Sequence, residues 1–168
     1  MTAPAALLEI ADAGESDLDG ILALQERNLP ERGGVLSARL PRAQLEAMLR
    51  DLPLVVARRG GAVVGYLLAA SKATVSAVPV IRAMLAAYCG APDAYVYVPI
   101  VVDASERGRG VALLLFEALK ERLPSREGIL LIRTDNAPSF RAHEKMGVTP
   151  RGRFTHNEIQ FVVLSYLG

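Results

Sequence analysis

The sequence predicts a mixed α/β fold, a single sheet flanked by helices, in one domain spanning residues 1–168. Three observations predict it. Strand-like runs and segments with helical apolar spacing follow one another along the whole chain. One run, Tyr95–Val102, is apolar on both faces, as a central strand covered on both sides must be. At 168 residues and 51% apolar composition, the chain is long enough to bury a sizeable core. No internal repeat, low-complexity tract or linker divides it.

Leu7–Ala11 reads as the first strand. Ser16 is the expected N-cap of the first helix, with Asp17 and Asp19 in its first turn and Leu18, Ile21, Leu22 and Leu24 on its apolar face. Residues 28–40, with the Gly33-Gly34 pair, read as loop. A second helix follows Pro41 over Arg42–Arg50, with Leu45, Met48 and Leu49 inward. Leu54–Arg58 and Ala62–Ala70, separated by Arg59-Gly60-Gly61, give the strongest hairpin signal.

Val75–Tyr88 places Val78, Ile81, Met84, Leu85 and Tyr88 at helical spacing, so an extra helix is expected between the third and fourth strands. Its readings are core packing, a pocket wall or half of a dimer interface. In Tyr95–Val102 the oddity is Pro99. Proline removes a ladder donor and is tolerated in a central strand only at a bulge or where neighbouring strands separate. A helix over Gly110–Leu123 buries Leu114, Leu115, Ala118 and Leu119 and stops at Pro124. Gly128–Arg133 is the fifth strand and Asn136–Met146 the next helix. Val148–Thr155 and Glu158–Tyr166 form the last two strands around His156-Asn157, giving the order βααββ(α)βαβαββ.

With 19 basic and 18 acidic residues and a net charge of +1, the chain has no bias toward nucleic acid or an anionic membrane. Its one cysteine, Cys89, excludes an internal disulfide; it is expected to be a small buried apolar residue in a protein of the reducing cytoplasm. Met1–Leu8 lacks the basic region of a secretory signal. The apolar window 75–91 is broken by Pro79 and Arg82 and is shorter than the roughly 20 residues of a spanning helix. No membrane association and no metal are expected.

Chemistry concentrates at Arg107-Gly108-Arg109-Gly110-Val111-Ala112, between a strand and a helix. Glycines there permit a tight turn and close approach of a ligand, and the helix start offers free amides and a positive dipole end to an anion. Such a segment can also be only a turn. No Gly-Lys-Ser/Thr triplet follows, which disfavours a P-loop. In a dinucleotide fingerprint the third glycine position is Leu113, which argues against an NAD-type enzyme. Arg107, Gly110 and Ala112 instead satisfy Arg/Gln-x-x-Gly-x-Gly/Ala. A second segment, Asn136 followed by His143-Glu144-Lys145-Met146-Gly147-Val148, stands at the spacing of an Asn then aromatic-Glu-Lys-x-Gly-Phe run. It also reads as a capped short helix, with Asn136 as N-cap, Pro138 in the first turn and Gly147 as the stop.

The two segments together resemble the GNAT superfamily of N-acetyltransferases, over nearly the whole chain and best from Tyr95 to Val148. The resemblance implies a mostly antiparallel sheet of about seven strands, splayed between the fourth and fifth. It implies acetyl-CoA, or another acyl-CoA, as cosubstrate, with the pantetheine arm in the splay near Ile100 and Val102. Amides of Arg107, Gly108, Arg109, Gly110, Val111 and Ala112 would hold the diphosphate. Asn136 would contact pantetheine or position its helix, with Ser139 beside it. The implied reaction is direct attack by an amine of a small molecule or protein, in a ternary complex. Where many relatives carry a tyrosine acid this chain has His143, whose imidazolium is a candidate general acid; Ser139 is the weaker alternative.

No general base is evident, and Asp103, Asp135 and Glu158 are candidates by position only. Tyr95 and Tyr97 share a strand face, as pocket lining or core packing. His156 is read as a loop residue. The alternative function is a GNAT domain that holds acyl-CoA as a sensor or scaffold without turnover. A homodimer is compatible with the resemblance.

Overall fold

The computed structural model describes residues 5–34, 36 and 39–168. Residues 1–4 of the N-terminal segment, and residues 35, 37 and 38 of the expected loop 28–40, lie outside the described residues. The elements are β1 (Leu8–Asp12), α1 (Leu18–Arg27), α2 (Arg42–Asp51), β2 (Val55–Arg59), β3 (Ala62–Ser71), α3 (Lys72–Val75) and α4 (Pro79–Ala87). They continue as β4 (Tyr95–Val102), α5 (Val111–Arg122), β5 (Glu127–Arg133), α6 (Ala137–Glu144), β6 (Thr149–His156) and β7 (Ile159–Leu167). The strands form one seven-stranded sheet in the order β1-β2-β3-β4-β5-β7-β6. Every neighbouring pair is antiparallel except β4 and β5, which run parallel.

Strand alternation divides the apolar residues between two faces. On one face Leu18, Ile21 and Leu24 of α1, Leu45 and Met48 of α2, and Val80, Ile81 and Met84 of α4 cover Tyr66, Leu68, Val96, Ile129 and Val163. On the other, Val111, Leu115, Phe116 and Leu119 of α5 cover Leu67, Tyr95, Tyr97, Leu130 and Tyr166. Each of these large side chains contributes about 1.5–3 kcal/mol when taken fully out of water.

Several expectations are corrected. Ser16 is not the cap of α1: a short 3-10 turn, Glu15–Asp17, precedes the helix, and Asp17 accepts from the Gly14 amide at 2.8 Å. The Asp17 carboxylate also takes two bonds from Arg58, at 2.8 and 2.7 Å, which tie this corner to β2. The helix expected over 75–88 starts only at Pro79, which sits at the first position of α4 and forces Val78 into extended backbone; the one-turn α3 precedes it. Of the readings given for it, α4 takes core packing, and its end is fixed where the Tyr88 hydroxyl donates to Glu127 at 2.6 Å. In α5 it is Phe116 that is buried, while Leu114 is 48% exposed. Leu114 lies on the flank of the stripe formed by Val111, Leu115 and Leu119. Cys89 is exposed, in the connection after α4. The last strand starts at Ile159, since Asn157 and Glu158 take φ of 48° and 64° and make the two-residue hairpin turn.

Candidate active site

The sheet opens at its centre. β4 pairs with β5 only at Tyr95↔Gly128 and Val96↔Ile129, and beyond these the two strands part. Pro99 follows at once, inside a register shift: Ala69 faces Tyr97 and Leu67 faces Ile100, so β4 carries one extra residue there. Both conditions that tolerate proline in a strand are met. The extra residue also switches the alternation, so Tyr95 and Tyr97 before it, and Ile100 and Val102 after it, all pack toward α5. The Asp103 amide donates to the Val64 carbonyl of β3 at 2.8 Å. Alternation then aims the amides of Ile100 and Val102 at the opposite edge of β4, into the gap.

From the open edge the chain runs straight into the glycine-rich segment. Asp103 caps the 3-10 turn Ala104–Glu106, accepting from the Ser105 amide at 3.0 Å. Gly108 and Gly110 take φ of 75° and 76°, a left-handed conformation that L side chains adopt at a cost. A Cβ at either would meet nothing within 4 Å, so the ground above this loop is open. Gly110 gives α5 no side-chain cap, and the first-turn amides must be satisfied from outside the helix. An edge of free strand amides therefore leads to a helix start that favours negative charge.

The arginine side chains of this loop differ. Arg107 is turned back onto the protein, its Nε donating to the Val102 carbonyl at 3.2 Å and its Nη2 to Asn28 Oδ1 at 2.8 Å. Its guanidinium braces the loop against the end of α1. Arg109 is 64% exposed along its side chain and stands 3.9 Å from Glu106.

Asn136 caps α6, accepting from the Ser139 amide at 3.2 Å. One turn on, His143 is buried at 3% exposure. Its Nδ1 lies 2.7 Å from the Ser139 carbonyl oxygen and its Nε2 3.0 Å from the Tyr97 hydroxyl. A carbonyl only accepts, so this network assigns the proton to Nδ1; Nε2 accepts, and the phenol donates. Burial pushes the imidazole below its ordinary pKa, against the opposing effect of the Ser139 backbone bond. At neutral pH this network and the lowered pKa favour a neutral ring with no proton on Nε2, which weighs against the imidazolium acid expected at this position. Burial pushes the Tyr97 phenol well up, so it is a poorer acid than free tyrosine. Tyr97 stacks edge-on against Phe116, His143 and Tyr166, and core packing describes it. Ser139, half-buried, keeps its hydroxyl 3.3 Å from His143 Nδ1.

Two of the three positional acids are engaged. Asp103 is held below the usual carboxylate range by the Ser105 hydroxyl and amide, and Arg27 adds an ion pair at 3.0 Å. Asp135 is lowered by Arg133, which donates twice, at 3.0 and 2.8 Å. Glu158 stands in the β6–β7 turn, and His156 closes β6 opposite Ile159. Among the described residues no group of three or more His, Cys, Asp or Glu is placed to hold a metal ion, and no helix is long and apolar enough to cross a membrane. The sequence reading missed Arg59, Asn28 and Glu106. Only Glu106 left a local trace, as a carboxylate directly before an anion-type loop.

The acetyltransferase (GNAT) family model matches residues 19–148. No curated protein matches the sequence. Among solved structures, an N-acetyltransferase from Staphylococcus aureus superposes with a TM-score of 0.71 at 20% identity, over 96% of this chain and 99% of that one. A GNAT superfamily phosphinothricin acetyltransferase from Sinorhizobium meliloti, solved with AcCoA, gives 0.68 at 21% identity, over 95% and 88%. A ribosomal-protein-alanine N-acetyltransferase from Brucella melitensis gives 0.67 at 19% identity, over 95% and 99%. The splayed β4–β5 pair, the glycine loop ahead of α5 and the family match over residues 19–148 agree: the chain belongs to the acetyltransferase (GNAT) family.

Proposed function

We propose that the protein transfers an acyl group, most simply acetyl, from acyl-CoA to a primary amine of a small molecule or protein, by direct attack in a ternary complex. The observation that carries this is a pair of backbone amide sets at one end of the sheet: those of Ile100 and Val102 turned toward the gap, and those at the start of α5, which has no side-chain cap, with the amides of Asp103, Ser105 and Glu106 between them bonded within the protein. Amides of residues 108–112 would take the diphosphate, since that of Arg107 donates to the Ala104 carbonyl, and the β4 edge would take the pantetheine arm. The AcCoA bound to the Sinorhizobium meliloti relative supports the same cosubstrate.

A thioester is already activated, so the protein's work is to align the amine and stabilise the tetrahedral oxyanion, and the gap-facing Val102 amide is the donor we assign to it. The amine nitrogen bonds to the carbonyl carbon, and the carbon–sulfur bond then breaks. The amine nitrogen gives up a proton to solvent water, and coenzyme A leaves as thiolate. A thiolate whose conjugate acid has a pKa of about 8.5 leaves without obligatory protonation. Neutral His143 fixes Tyr97 and the α6 turn that presents Ser139, whose hydroxyl is the group available to hydrogen-bond the departing sulfur.

Free thiol release from acetyl-CoA with a panel of small amines and peptide N-termini tests the reading; release dependent on an amine is expected. One observation favours a second reading, an acyl-CoA sensor or scaffold: His143 is neutral, and Asp103 and Asp135 are already paired. CoA binding with no thiol released on any acceptor would select it.

A further inference from the structure

A loop suited to a diphosphate begins here beside a buried negative charge. Glu106, the residue before Arg107, is 4% exposed, and an unpaired carboxylate at that point would repel an anionic ligand. Its partner comes from β2, two strands from β4 in the sheet order. Arg59, the last residue of β2, donates from Nε to Oε1 at 2.6 Å and from Nη2 to Oε2 at 2.9 Å, a fork that covers both oxygens. Arg59 is itself anchored, because its Nη1 donates to the Ala6 carbonyl. With both oxygens occupied, Arg109 remains 3.9 Å away and mostly in solvent. The other carboxylate at this corner, Asp103, is matched by a single bond from Arg27 of α1 at 3.0 Å.

We propose that Arg59 is an electrostatic positioning residue of the cofactor site: it neutralises Glu106 and so leaves Arg109 and the amides of residues 108–112 free for the diphosphate of coenzyme A. The inference rests on the acyl-CoA reading above. Without Arg59 the buried carboxylate would draw Arg109 onto itself, and the corner would lose the one net positive charge that Arg109 now offers to an anion. A purely mechanical brace would behave differently, since its loss would not depend on the charge of Glu106.

The test is calorimetric binding of two ligands, CoA and S-acetylpantetheine, which lacks the diphosphate. Arg59→Met is expected to weaken CoA binding about tenfold or more while leaving S-acetylpantetheine unchanged. Arg59→Lys, which keeps the charge without the fork, should stay nearer wild type. The double variant Arg59→Met/Glu106→Gln removes both charges and should return CoA affinity to within about threefold of wild type. It also keeps the test open if the single variant folds poorly, which thermal melts reveal. Wild-type CoA affinity in Arg59→Met, equal losses for both ligands, or a double variant as weak as the single one would overturn the proposal. Wild-type protein that does not associate with CoA would instead reject the acyl-CoA reading on which it rests.

Discussion

The Tyr97–His143 contact makes a prediction whose size follows from its geometry. The two polar groups meet at 3.0 Å inside the packed aromatic cluster below α5 and α6, where no solvent can replace a lost partner. Tyr97→Phe strands the Nε2 lone pair and His143→Phe strands the phenol hydrogen; each leaves a buried polar atom unpaired at a cost of about 1–3 kcal/mol. For a chain of this length, 2 kcal/mol corresponds to a fall in Tm of about 4–8 °C. The double variant loses the pair together, so its destabilisation should fall short of the sum of the singles by about 1–2 kcal/mol. Urea melts of the four proteins without ligand give the cycle. The contribution also has a pH signature. Burial lowers the folded-state pKa of His143, so below about pH 6.5 the unfolded chain binds the extra proton first. Stability should therefore be complete above that pH and decline as pH falls toward the folded-state value, and His143→Phe should flatten this decline. Strict additivity in the cycle, or an unchanged pH profile in His143→Phe, would refute a neutral, hydrogen-bonded imidazole.

Three further outcomes are expected from melts of single variants. Tyr66 is fully buried on β3 with a hydroxyl that finds no partner among the described residues, so Tyr66→Phe should be neutral or stabilising by up to about 1 kcal/mol; a marked loss would reveal an unseen partner. The Arg58 fork holds the Asp17 pKa below its usual value, so Asp17→Asn should cost about 2 kcal/mol at neutral pH. That cost should shrink as pH falls below about 4 toward the folded-state pKa, where wild type protonates; a pH-independent cost would contradict the pairing. Asn136→Ala removes the cap of α6 and should cost about 1 kcal/mol, with Asn136→Asp closer to wild type.

What the sequence disclosed was what local patterning encodes. The β2–β3 hairpin, the limits of β4 and the cap at Asn136 each follow from residues adjacent in the chain, and even Pro99 announced the bulge and the opening beside it. Errors arose where packing or a neighbouring turn decides. Leu114 is as apolar as Leu115 but lies off the buried stripe, and Ser16 is as good a cap as Asp17 but the chain there winds into a 3-10 turn. At the site, the left-handed turn and the helix start after it were legible because two closely spaced glycines before an apolar run mark them. The state of His143 was not, since it depends on Tyr97, 46 residues earlier, and on a carbonyl that consumes its Nδ1 proton. Arg59 and Glu106, 47 residues apart, meet only once the sheet register is set.

The central claim is that backbone amides along the open edge of β4 and at the start of α5 hold coenzyme A. Amide NMR spectra recorded during titration with CoA test it residue by residue. The largest shifts should fall at Ile100, Val102 and Gly108–Ala112, with S-acetylpantetheine moving Ile100 and Val102 but not the loop. Saturation without shifts in these amides, or no response to CoA at all, would contradict the account.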